Sequence, residues 1–121
     1  MAQVLVVDDS GTVRNEVSDF LKANGLTVAC AVDGKDGLDK IKSDPSLKLV
    51  LSDVNMPNMD GLTMAEKIRG ELKNNALNII MLTTENSPAM KERGKAAGIK
   101  GWIVKPFNGA AVIASLKKLV A

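Results

Sequence analysis

The sequence predicts one α/β domain, an open parallel sheet of five strands with helices on both faces and right-handed crossovers. Three observations predict it. Strand-like apolar runs alternate with helix-like apolar stripes five times from end to end. The 45% hydrophobic content is aliphatic, with two Phe, one Trp and no Tyr, as suits a sheet covered by helices. The 121 residues are enough for one domain and hardly more.

Residues 3–7 form the first strand, β-branched and apolar, and end on Asp8-Asp9. Val13, Val17, Phe20 and Leu21 then recur as one face of a helix, which Gly25 terminates. Residues 26–31 read as the second strand, with Cys30 expected as a small buried side chain. Asp33-Gly34 turns into a short, weak helix holding Leu38 and Ile41. Leu49, Val50 and Leu51 make a buried third strand that ends at Asp53, after which Pro57 forbids immediate continuation. Asp60-Gly61 caps a helix whose stripe is Leu62, Ala65, Ile68 and Leu72. Residues 78–82 are the fourth strand, ending on Thr83-Thr84, and Ser87-Pro88 is a good helix start. The helix over 89–97 is poor, because Gly94 interrupts it at about 1 kcal/mol relative to Ala and Met90 is its one large apolar residue. It is expected to be loosely held. Residues 101–104 are the fifth strand, ending at Lys105-Pro106, and Asn108 is expected to cap a helix with Val112, Ile113, Leu116, Leu119 and Val120 on its apolar face.

Composition removes several kinds of function. There is no histidine, so His-based acid–base catalysis, Ser-His-Asp and Cys-His arrangements and His-ligated zinc are excluded. Cys30 has no disulfide partner. No apolar run approaches membrane-spanning length, and no signal peptide is visible before the first strand, so a cytoplasmic protein is expected. The last helix runs to the end of the chain, so no appended effector domain is expected. Residues 1–60 hold ten acids and six bases, whereas residues 61–121 hold four acids and ten bases. The bases are dispersed and lack interleaved aromatics, which speaks against nucleic acid; a solvated lysine surface is the default reading, with an acidic protein partner as the alternative.

What ends each strand is the informative pattern. Asp53 alone could be a ligand, a nucleophile or a loop-capping residue. In a parallel sheet, however, Asp8, Asp9, Asp53, Thr83 and Lys105 all reach the same edge. Three carboxylates together repel unless a cation intervenes. Hard oxygen ligands of this kind suit Mg²⁺, which shares its shell with water and phosphate. With Lys105 as counter-charge and Thr83 as a donor, a carboxylate of this cluster could attack a phosphoryl group to give an acyl phosphate, so the site reads as a phosphoryl acceptor.

Four segments then resemble the receiver domains of two-component response regulators, most of all the single-domain chemotaxis type, the CheY-like proteins. They are Val-Val-Asp-Asp-Ser at 6–10, Asp-Val-Asn-Met-Pro-Asn-Met-Asp-Gly at 53–61, Leu-Thr-Thr-Glu at 82–85 and Val-Lys-Pro-Phe at 104–107. They stand in the family's order and spacing over residues 1–121. The resemblance implies a flavodoxin-like (βα)5 fold with strand order 2-1-3-4-5, the order known from flavodoxin and from this family's own chemotaxis member. It implies Asp53 as the phosphorylated residue, and Asp9, Asp53 and the backbone carbonyl of Asn55 as Mg²⁺ ligands, with Asp8 acting through a bound water. It further implies that Lys105 bridges to the phosphoryl group across a cis Lys105-Pro106 bond. Thr83 and Trp102 would form the switch, and Asn55 and Glu85 would tune the lifetime of the acyl phosphate. Thr84 stands where the family usually has a smaller side chain, and Trp102 where Tyr or Phe is more frequent.

The partners implied are a CheA-like histidine kinase and a flagellar motor switch protein, with a phosphatase as a further one, acting on a monomer. Lys91, Lys95 and Trp102 mark the expected partner surface, since residues 86–121 hold seven bases and one acid. Such a protein signals rather than turning over substrate. It could instead serve as a phosphate sink or a phosphorelay carrier. A Mg²⁺-dependent phosphatase with an aspartyl nucleophile, of the haloacid dehalogenase kind, would need a second acid two residues after Asp53, where Asn55 stands. A nucleotide-binding module would need a glycine-rich phosphate turn, which follows no strand here.

Overall fold

The computed structural model describes residues 1–121 as five alternating strand–helix units. In order they are β1 (Val4–Val7), α1 (Gly11–Ala23), β2 (Val28–Ala31), α2 (Gly34–Ser43), β3 (Leu49–Ser52), α3 (Gly61–Gly70), β4 (Asn78–Thr83), α4 (Pro88–Ala96), β5 (Gly101–Val104) and α5 (Gly109–Val120). The strands form one parallel sheet in the order β2-β1-β3-β4-β5. This is the flavodoxin-like fold.

The two-residue period of the strands sorts the core into two layers. Val4, Val6, Leu49, Leu51, Ile80 and Leu82 point to one face, where Val17 and Leu21 of α1 and Leu116 and Val120 of α5 cover them. Leu5, Val7, Val50, Ile79 and Met81 point to the other, beneath Leu38 and Ile41 of α2 and Leu62, Met64, Ala65 and Ile68 of α3. β1 and β3 are buried along their whole length, as central strands covered on both faces must be.

Four helices begin on side-chain caps. Ser10, Asp33, Asp60 and Ser87 accept from the backbone N–H of Val13, Asp36, Thr63 and Met90, satisfying donors that a helix start otherwise leaves open. Gly25 closes α1 with φ +87°, a conformation that costs glycine little.

Several expectations need correction. Asn108 precedes α5, yet its side chain makes no cap hydrogen bond; its backbone, at ψ 88°, is not set for one. Cys30 is half-exposed rather than buried, because β2 is an edge strand with one flank open. Leu72 lies beyond α3, which ends at Gly70, and packs on the core from the following turn. Gly94 does not break α4. It is that helix's one buried residue, and a Cβ there would lie 3.0 Å from Ile99 and 3.3 Å from Trp102, so the missing side chain lets the helix seat closely.

Candidate functional site

Register brings the predicted residues to one edge. Val7 pairs with Ser52 and Thr83 with Val104, so Asp8 and Asp53 follow adjacent strands, and Lys105 follows the strand beside Thr83. The backbone fixes the two acids, Asp8 N–H donating to the Ala31 carbonyl at 3.1 Å and Asp53 N–H to the Val7 carbonyl at 2.9 Å. Asp8 and Asp53 are buried and Asp9 is exposed. Each of the three offers a carboxylate oxygen within 4.8 Å of the others, a cluster that could hold a metal ion.

Lys105 Nζ donates to Asp8 Oδ2 and to Asp53 Oδ2, both at 3.0 Å. Burial alone would pull its pKa down. The hydrogen bonds and charges of Asp53 and Asp8 outweigh burial and hold the ammonium above its usual value. The remaining oxygens are engaged as well, Asp8 Oδ1 accepting from Ser10 N–H at 2.9 Å and Asp53 Oδ1 from Val54 N–H at 2.7 Å. Arg14 carries no signal in the sequence, yet its guanidinium donates to the Asp8 carbonyl at 2.6 Å and adds a second positive group behind the acids.

Glu85 links the rest. Its N–H donates to the Thr83 hydroxyl oxygen at 3.2 Å, its carboxylate accepts from the Asn55 amide at 2.5 Å, and its carbonyl accepts from the Trp102 indole N–H at 2.7 Å. Thr83 is fully buried and Trp102 half-buried. Lys105-Pro106 is cis. Lys91 and Lys95 are exposed and, with Gly94, Ile99 and Lys100, surround a shallow pocket at Trp102.

The β3–α3 loop is closed on itself by Gly61 N–H donating to the Val54 carbonyl at 2.9 Å. No side chain fits at Gly61, since a Cβ would stand 2.0 Å from the Asp53 carbonyl oxygen. Two features here go beyond the expectations from sequence. Asn58 donates to Asp33 at 2.8 Å, and that amide, then the Asp36 N–H, hold the Asp33 carboxyl below its usual range. Arg93, one of the seven bases of residues 86–121, is paired with Glu66 by two bonds of 2.8 and 2.7 Å.

This geometry has known counterparts. The response regulator receiver domain model matches residues 4–117. The chain belongs to the response regulator receiver family. It is 36% identical over 107 residues to the chemotaxis protein CheY1 of Helicobacter pylori, covering 88% of this chain and 86% of that one. It is 38% identical over 107 residues to a CheY homologue of Campylobacter jejuni, with 88% and 82% covered. The solved structure of chemotaxis protein CheY4 of Vibrio cholerae superposes with a TM-score of 0.88 at 41% identity, covering 98% of both chains.

As a receiver domain the chain is a signalling protein rather than an enzyme in the usual sense, and the family implies a histidine kinase as partner. The cluster of Asp8, Asp9 and Asp53 is the acidic site expected of a receiver. No helix is long and apolar enough to cross a membrane.

Proposed function

We propose that this receiver accepts a phosphoryl group from a histidine kinase on Asp53 and relays the signal as a chemotaxis regulator through phosphorylation-dependent binding. The observation that carries the reading is the single ammonium of Lys105 spanning Asp8 and Asp53 beside a third carboxylate. An Asp53 oxygen attacks phosphorus, the P–N bond of phosphohistidine breaks, and the imidazole leaves with the electron pair. Water later hydrolyses the acyl phosphate.

The donor set fits Mg²⁺, since carboxylates and a carbonyl are hard oxygen ligands with no nitrogen or sulfur among them. Asp9, Asp53 and the Asn55 carbonyl would hold it, and Asp8 would act through water. Bound there, it supplies charge neutralisation for the phosphoryl oxygens. Lys105 moves from the two carboxylates to the new anion. The Thr83 oxygen already accepts from Glu85 N–H, so its own proton is free to donate to a phosphoryl oxygen. Glu85 ties Thr83 to Asn55 and Trp102, which supports a switch running from Thr83 through Glu85 to the Trp102 surface. Asn55 and Glu85 flank the path of the attacking water and tune the lifetime.

The output surface combines Trp102 with Lys91 and Lys95, which suits an acidic, amphipathic partner segment. A flagellar motor switch protein is the partner we favour, with a CheA-like kinase upstream, a phosphatase to reset the signal, and a monomer working in the cytoplasm. The test is intact-mass analysis after incubation with acetyl phosphate or a phosphorylated kinase domain, with and without Mg²⁺. One hydroxylamine-labile, Mg²⁺-dependent phosphoryl group is expected, absent from Asp53→Ala. No such adduct from either donor would overturn the reading.

A further inference from the structure

We infer that Asp33 is a positioning residue for the cation site, acting through Asn58 on the loop that carries the Asn55 carbonyl. The inference rests on the Mg²⁺ reading above. Met56 and Met59 are half-buried and rest on the core, but Asn55, Pro57 and Asn58 between and before them are exposed, so their backbone depends on polar ties as well as packing. Inside it, Met59 N–H donates to the Pro57 carbonyl at 2.7 Å, a bond that shapes the turn without anchoring it.

The Asn55 amide reaches Glu85 on one side, and the other polar anchors come from the β2–α2 turn. Asn58 donates to Asp33 Oδ2 at 2.8 Å, and Gly34 N–H donates to the Met59 carbonyl at 3.0 Å. The two segments meet at backbone distance, since a Cβ on Gly34 would lie 2.7 Å from the Met59 carbonyl oxygen. Asp33 is itself buried and rigidly placed, because its other oxygen accepts from Asp36 N–H at 2.8 Å as the cap of α2. Asn58 sits at φ 67°, a conformation that Asn and Asp tolerate better than other side-chain-bearing residues. A buried carboxylate on one loop therefore sets the backbone of another. Outer partners of this kind tune metal affinity without touching the ion.

Three variants of the full chain separate the tie from its neighbours. Asn58→Gly removes the amide while keeping the left-handed backbone accessible. Asp33→Ser keeps an α2 cap but is too short to reach Asn58. The double exchange Asp33→Asn with Asn58→Asp reverses the hydrogen bond, retains a good cap and leaves the net charge unchanged. Mg²⁺ affinity is read by titration calorimetry, and folding by the urea midpoint without metal. Each single variant is expected to bind Mg²⁺ about tenfold more weakly, and the double exchange to return to within about twofold of the unaltered chain. In phosphorylation by acetyl phosphate, the half-saturating Mg²⁺ concentration should rise while the saturating rate stays unchanged. Unaltered Mg²⁺ affinity in the single variants overturns the inference, as does a double exchange that binds no better than they do. Failure of the unaltered chain to bind Mg²⁺ overturns the cation reading, and the inference with it.

Discussion

β1 and β3, which carry Asp8 and Asp53, are buried along their whole length, whereas α4 buries only Gly94 and every residue of β5 is partly or fully exposed. The carboxylates thus stand on close-packed aliphatic side chains, which resist displacement because any shift opens a void. The Trp102 side is packed only in part, through Met90, Ala97, Ile99 and Trp102, and is held as well by directional bonds. Arg93 pairs with Glu66, and Arg69 reaches from α3 to the carbonyls of Ala97 and Gly98 at 2.9 and 3.2 Å and of Asn74 and Leu77 at 2.9 and 2.7 Å. Water can substitute for such bonds one at a time, so local opening costs less here than in the packed strands. The proposed switch, with binding at the acids and a response at Trp102, would make use of this division.

Truncation tests the division most strongly. Leu51→Ala, at a fully buried position, should cost about 3 kcal/mol, whereas Met90→Ala on α4 should cost about 1 kcal/mol or less. Urea unfolding measures both, and equal costs would erase the contrast. Lys105→Met comes next, expected to cost about 2 kcal/mol at neutral pH without divalent cation, because two buried carboxylates lose their counter-charge. The raised pKa of Lys105 means that its contribution is intact at neutral pH and is lost only as pH rises through the folded value. Saturating Mg²⁺ should restore more stability to this variant than it adds to the unaltered chain; an equal gain would show that the ammonium does not substitute for the cation. Glu66→Gln should have the smallest effect on stability, under about 1 kcal/mol for an exposed pair. It should nevertheless speed amide hydrogen exchange in α4 selectively, and unchanged exchange there would mean that the Arg93 pair does not hold the helix.

Strands and strand ends are legible in the sequence because their signal is local. An apolar run such as 49–51 closes on Asp53, and one parallel sheet then carries every such end to the same edge. Asp60 and Ser87 sit one residue before their helices, where a short polar side chain reads as a cap, whereas the cap at Ser10 goes unread and that at Asn108 is not made. Tertiary ties leave no such trace. Nothing near Asn58 indicates that its amide crosses to Asp33, and nothing in α3 foretells that Arg69 spans to carbonyls beyond α4. Gly94 illustrates the same limit, since propensity records its cost to a helix but not that Trp102 and Ile99 need the space. Cys30 departs from its expected burial because a strand pattern does not say whether the strand is central or at an edge.

The strand order has an electrical consequence. Because β2, β1 and β3 lie together and β4 and β5 follow on one side, the acid-rich first half of the chain and the base-rich second half are segregated across the sheet rather than interleaved. The excess of base therefore lies on the β4–β5 side, while much of the first half's excess of acid is the cluster of Asp8, Asp9 and Asp53 itself. An acidic partner would feel this excess over roughly a Debye length, about 8 Å at physiological salt, and would be turned toward the basic side before any side chain touches. Orientation on approach is then a property of topology, and salt governs how often encounters begin well aligned.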